Sequence, residues 1–131
     1  MGFKNLENII ENTGRVLYIT MTYHGENKLG GGNSTKLDLK KDGEALLDYL
    51  SDKKIAIDLS HISDVLAFDV LNYISKNNLK ISVIASHSNF RDAFSHTRNL
   101  PKEIAQEIIY RNGLIGLIFL RTFCTTKILI P

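Results

Sequence analysis

Four times along this chain a segment with helical spacing hands over to a short, apolar, β-branched run. Leu6, Ile9 and Ile10 fall on one helical face, and Gly14 suits a helix stop. Residues 16–22 then predict a strand, with no charge after Arg15. Helical spacing returns over residues 41–53, with Leu46, Leu47, Tyr49 and Leu50 inward. Residues 55–59 are apolar between charged flanks and predict a buried strand. Ser63 suits an N-cap and Asp64 the first turn of a helix that buries Ala67, Val70, Leu71 and Ile74 and ends at Asn77 and Asn78. Residues 81–85 predict a third strand. A polar loop follows over residues 86–99, with a helical turn around residues 91–94. Pro101 suits the first turn of a helix running to Asn112, Gly113 its cap, and residues 114–120 a fourth strand.

Strands that alternate with helices pair in parallel through right-handed crossovers. Two α/β architectures satisfy this order: a small doubly wound sheet, or part of a (β/α)8 barrel with about four βα units. Four strands cannot close a barrel. A chain of 131 residues fits one domain, and 44% hydrophobic residues against 23% charged supply a packed core. Sixteen basic against 14 acidic residues leave a net charge of +2, too balanced for a dedicated nucleic-acid binder. Cys124 stands alone, which excludes an intrachain disulfide and a cysteine-based zinc site. The longest apolar run covers residues 113–120 even with its glycines, far short of the ~20 a membrane span needs. With Lys4, Glu7 and Glu11 among the first apolar residues, no signal peptide is expected at the start. A soluble, cytoplasmic protein is expected.

In parallel α/β folds ligands gather at the carboxyl ends of strands. Here the first strand runs into Thr22-Tyr23-His24, the second into Ser60-His61-Ile62-Ser63 and the third into Ser86-His87-Ser88-Asn89. The fourth histidine, His96, shares the third loop with Arg98. Two neighbouring strands can aim His61 and His87 at one metal ion. Equally, each imidazole could cap a helix or bond a neighbouring loop. Asp58 alternates with Ile57 and Leu59 and could orient a histidine from behind, or make a structural hydrogen bond. The loop Gly30-Gly31-Gly32-Asn33-Ser34-Thr35-Lys36 could cradle a phosphate, although it lacks the Gly-Lys-Ser/Thr end of a P-loop; a flexible loop is the simpler expectation. Ser86 and Ser88 lack the glycines of a nucleophile elbow, and Cys124 reads as a bystander.

Four stretches together resemble the renal (membrane) dipeptidase family. They are Thr20-Met21-Thr22-Tyr23-His24-Gly25-Glu26-Asn27 with the three glycines after it, Ile57-Asp58-Leu59-Ser60-His61-Ile62-Ser63-Asp64, Val83-Ile84-Ala85-Ser86-His87-Ser88-Asn89 followed by Arg98-Asn99-Leu100, and Asn112-Gly113-Leu114-Ile115-Gly116. The resemblance implies a (β/α)8 barrel with two zinc ions, in which a metal-bridging hydroxide attacks the scissile carbonyl of a dipeptide. It implies His61 and His87 as ligands of one zinc, Arg98 as the grip on the substrate's terminal carboxylate, and Asn27 as a further substrate contact. Tyr23, with His24 one residue on, aligns with a residue that contacts the carbonyl.

The family's other parts are missing. No His-x-Asp pair occurs anywhere in the chain. By spacing, the glutamate that bridges the two metals would precede Met1, and the proton-handling aspartate would follow Pro131. Residues 1–120 therefore read as the central segment of a dipeptidase-like barrel, with a divergent tail over residues 121–131 and at most one partial zinc site. Three functions follow as expectations: a truncated zinc dipeptidase, inactive alone; a non-catalytic remnant, or one subunit of a split dipeptidase that associates with itself or with a complementary chain; or a small phosphate-binding α/β module.

Overall fold

The computed structural model describes residues 2–124. Helices and strands alternate: α1 (Lys4–Thr13), β1 (Tyr18–Thr20), α2 (Lys41–Leu50), β2 (Ala56–Asp58), α3 (Asp64–Lys76), β3 (Val83–Ser88), α4 (Lys102–Tyr110), β4 (Leu114–Leu117) and α5 (Arg121–Cys124). The strands form one parallel sheet in the order β1-β2-β3-β4. No further strand lies beside β1 or β4 among the described residues, so this is an open (β/α) sheet. Of the expected tail, residues 125–131 lie outside the described residues. No described helix is long and apolar enough to cross a membrane.

Alternation along the strands divides the residues between two faces. Ile57, Val83 and Ala85 turn to the helices and are buried with Leu46, Leu47, Leu50, Leu66, Val70, Leu71, Ile104 and Ile108. The opposite face carries Tyr18 paired with Ala56, and Ile84 paired with Leu114. Those four side chains are exposed or half-exposed, and Leu114 is 61% exposed. The helices thus bury one face of the sheet, while on the other these four side chains stay exposed or half-exposed and Asp58 is buried.

Helix ends follow the expected chemistry in part. Gly14 closes α1 in the left-handed conformation at φ 76°, its N–H donating to the Ile10 carbonyl. The Ser63 hydroxyl accepts from the Leu66 N–H at 3.0 Å, a cap worth about 1 kcal/mol. Pro101 stands one position earlier than expected, as the N-cap of α4 with ψ 151°. The left-handed residue after α4 is Asn112, at φ 56°, rather than Gly113. Gly113 is needed for a different reason: a Cβ there would overlap the Val83 carbonyl, so β3 and β4 could not approach. Tyr49 is only half-buried, stacked on Phe3 with ring centroids 4.0 Å apart.

Two expected loops turn out to be ordered. Residues 86–88 belong to β3, not to the loop after it. The glycine loop is packed, with Gly30, Gly31 and Gly32 buried. A Cβ on any of the three would collide with neighbouring atoms, including the Asp38 and Leu37 carbonyls and the backbone of Tyr23 and His24. Most of its N–H groups are committed: Gly32 donates to Gly25, Asn33 to His61, Ser34 to His24 and Thr35 to Gly32. The Gly30 N–H donates to the Asn27 side chain. A phosphate cradle needs such donors free, so both the flexible-loop and the phosphate-cradle expectations fail here.

Candidate functional site

The register between β3 and β4 slips at the strand end. Ala85 faces Ile115, but Ser88 faces Leu117, so three steps on β3 match two on β4. This bulge changes the alternation. In a regular strand Ser86 and His87 would point to opposite faces. Here the Ser86 hydroxyl lies 2.7 Å from His87 Nδ1. Gly116 lies against the bulge, where a Cβ would overlap the Ser86 carbonyl.

His61 is placed by a different device. It follows β2 in the left-handed conformation at φ 67°, unusual for a residue with a Cβ. Its carbonyl is held by the Thr22 hydroxyl at 3.2 Å and the Asn33 N–H at 2.9 Å. The glycine loop thus acts as a brace for His61. The result brings two imidazoles together, with His61 Nε2 and His87 Nε2 2.9 Å apart.

Tyr23 and His24 join the same cluster. The Tyr23 ring lies 4.5 Å from His61 and 4.3 Å from His24, and the His24 ring 6.0 Å from His61. His24 Nδ1 is tied to the Asn33 side-chain oxygen at 3.2 Å. Asn27 is used inside its own loop: it donates to the Met21 carbonyl and accepts from the Leu29 and Gly30 N–H groups. His96 is a structural residue, accepting the Arg98 N–H at its Nδ1 and packing on Phe123.

Arg98 is 3% exposed. It donates to the Ser88 hydroxyl at 3.0 Å and the His87 carbonyl at 2.6 Å. Its Nε is buried without a partner, and no carboxylate pairs with it among the described residues. Burial pulls its pKa down, opposed by the more distant charge of Asp58. A buried guanidinium with unused N–H groups suits an oxyanion. The loop that carries it is clamped to α3: Arg91 donates twice to Asp64, at 2.5 and 2.9 Å, and to the Asn99 carbonyl.

Asp58 is fully buried and accepts four hydrogen bonds, from the Thr20 hydroxyl, the Ser60 N–H, the Ser86 N–H and the Ser86 hydroxyl. Burial alone would raise its pKa; the hydrogen bonds outweigh that and hold the carboxyl below the usual range. For His61, burial comes first, then repulsion from Arg98, His87 and His24. Together they pull its pKa down to about 4 against the opposing charge of Asp58.

These donors fit zinc in kind. His61 is neutral near pH 7, and both Nε2 atoms converge on one point. Two nitrogens on one tetrahedral zinc stand roughly 3.3 Å apart, so the rings need part by only a few tenths of an ångström. In number the set is incomplete. No group of three or more His, Cys, Asp or Glu side chains able to hold a metal occurs among the described residues. Zinc sites use three or four protein ligands, so His61 and His87 fit as two ligands of one ion.

Sequence reasoning missed Ser86 as the link between Asp58 and His87, and Thr22 and Asn33 as the brace of His61. Polar residues beside the histidine motifs were the available signal. Their partners lie 28 to 39 positions away, out of reach of local spacing.

The fold recurs in larger proteins of known structure. An amidohydrolase from Pseudomonas aeruginosa superposes with a TM-score of 0.77 at 22% identity, over 92% of this chain and 37% of its own. A metallo peptidase from Rhodobacter sphaeroides, solved with a phosphinate mimic of the dipeptide L-Ala-D-Ala, gives 0.77 at 22% identity, over 94% of this chain and 36% of its own. The dipeptidase AC, a metallo peptidase of family M19, gives 0.76 at 22% identity, over 94% and 37%. This chain therefore spans just over a third of those proteins and shares the fold of part of a barrel. The model of the membrane dipeptidase family matches residues 10–128, nearly the whole sequence, and on that match the chain belongs to the membrane dipeptidases, peptidase family M19.

Proposed function

We propose that this chain carries the part of a zinc dipeptidase that holds one metal ion and receives the substrate's carboxylate, and that it does not hydrolyse dipeptides alone. The facing Nε2 atoms of His61 and His87, 2.9 Å apart, carry this reading. A zinc ion held there would supply Lewis-acid polarisation of a carbonyl oxygen.

The chain's own residues supply the rest. Arg98, buried with no carboxylate paired to it among the described residues, would receive the terminal carboxylate of a dipeptide. Tyr23 and His24, in contact with each other and with the metal-side cluster, would approach the scissile carbonyl. Asp58 and the glycine loop position the two histidines. The sequence has no His-x-Asp pair for a second ion, which is why turnover is not expected from these residues alone. Association with a second copy or with a complementary chain would complete the barrel.

Zinc calorimetry on the wild-type chain, His61→Ala and His87→Ala tests the metal assignment. One weak site per chain is expected, lost in both variants. Unchanged binding in both would overturn it.

A further inference from the structure

We propose that Asp58 and Ser86 are positioning residues that fix the tautomer of His87, so that its bare Nε2 lone pair is the atom presented to His61 and to a metal ion. The inference rests on the zinc reading for its use, but not for its test.

A serine hydroxyl has one proton to give. The Ser86 oxygen lies 2.5 Å from Asp58 Oδ2 and 2.7 Å from His87 Nδ1. Ionised Asp58 can only accept, so the Ser86 proton goes to the carboxylate. The Ser86 oxygen must then accept from His87, which places the imidazole proton on Nδ1. Nε2 is left as a lone pair.

Both ends of this relay are fixed. Asp58 is locked by the N–H groups of Ser60 and Ser86 on one oxygen and by the Thr20 and Ser86 hydroxyls on the other. The β3 bulge keeps the Ser86 oxygen beside the ring.

The relay also sets the state of His61. With His87 Nε2 bare, the 2.9 Å contact requires His61 to donate from its own Nε2. His61 Nδ1 is then a lone pair, and it is one of the buried side-chain atoms without a partner among the described residues. Without metal, the pair is held by one directed hydrogen bond. For both Nε2 atoms to hold a metal ion, His61 would have to carry its proton on Nδ1 instead, whereas His87 would already present a bare Nε2.

Replacing Asp58 reverses the relay without touching either histidine. In Asp58→Asn the remaining oxygen must still accept the two backbone N–H groups. The new amide nitrogen then faces Ser86 and donates to it. Ser86 turns its proton to His87 Nδ1, and His87 becomes the Nε2–H form, which cannot bind metal through that atom. Ser86→Ala removes the acceptor and should also return His87 to the Nε2–H form favoured by free imidazole.

The test is long-range 15N–1H correlation of the histidine rings in metal-free protein at about pH 8, where an ordinary imidazole is neutral. Wild-type His87 should show a protonated Nδ1 and a bare Nε2, and both variants the reverse. Zinc affinity should fall roughly tenfold or more in Asp58→Asn, the range for residues that orient a metal ligand. A wild-type His87 protonated on Nε2, or an unchanged Nδ1–H form in both variants, would overturn the inference. The tautomer is read without metal, so a chain that binds no zinc counts against the functional reading alone.

Discussion

Gly116 lies directly against the carbonyl of Ser86, leaving no room for a Cβ between β4 and the bulge in β3. The close approach lets three residues of β3 pass two of β4, and so turns His87 toward His61. Gly116→Ala should therefore cost about 1–3 kcal/mol of stability, the usual range for overpacking. It should also displace His87. Urea unfolding reads the first effect, and the ring correlation between His61 and His87 in NMR reads the second. A variant of wild-type stability with its His87 signals unmoved would show that the bulge does not depend on the glycine.

The pH dependence of stability should carry a signature of His61. Its pKa in the fold is about 4, against an ordinary 6.5, chiefly through burial and then through the charges of Arg98, His87 and His24. The unfolded chain therefore binds the extra proton between those values, and stability falls as the pH falls across that window. Above pH 6.5 the contribution is fully present; toward pH 4 it is lost. Asn tolerates the left-handed backbone at position 61 without titrating, so His61→Asn is the control. Asp58, held below the usual carboxylate range by its hydrogen bonds, is common to both proteins. Urea unfolding from pH 7.5 to 4 should show a steeper loss in the wild type, and parallel profiles would contradict the burial of a neutral His61.

The alternation of elements was legible because each strand is a short β-branched run and each helix buries a stripe. Ala67, Val70, Leu71 and Ile74 behave as their spacing requires. The histidine corners were legible as a cluster for the same reason: parallel strands put their carboxyl ends together. The polar character of residues 86–88 concealed that they extend β3, since a bulge opposite a glycine is a property of the pair of strands. The glycine loop reads as flexible in isolation, yet its glycines mark close packing against residues 23, 24, 37 and 38. Local composition carries no record of such approaches.

Arg98 should discriminate by carboxylate. A dipeptide with a free C-terminus should perturb the NMR signals of Arg98, Ser88 and His87, and its C-terminal amide should not. Arg98→Lys should weaken that binding roughly tenfold, because lysine lacks the planar fork and charge-assisted bonds are worth about 1.5–3 kcal/mol. Equal binding of acid and amide would assign Arg98 a purely structural role.

The sheet edges should drive association. Tyr18 on β1, Leu114 and Leu117 on β4, and Phe119 and Leu120 beyond it are exposed apolar side chains at the two edges. Open apolar edges invite pairing with another chain. Light scattering on the purified chain should show species larger than a monomer, whereas a monodisperse monomer would show that these edges are protected.

The most direct measurement is hydrolysis of a panel of dipeptides by the purified chain in excess zinc. On the proposed reading, His61, His87 and Arg98 would supply one partial metal site and a carboxylate grip, and the sequence offers no His-x-Asp pair for a second ion. No turnover above the zinc-only control is expected, together with zinc binding that depends on both histidines. Hydrolysis by the chain alone, abolished by chelation and restored by zinc, would contradict the account.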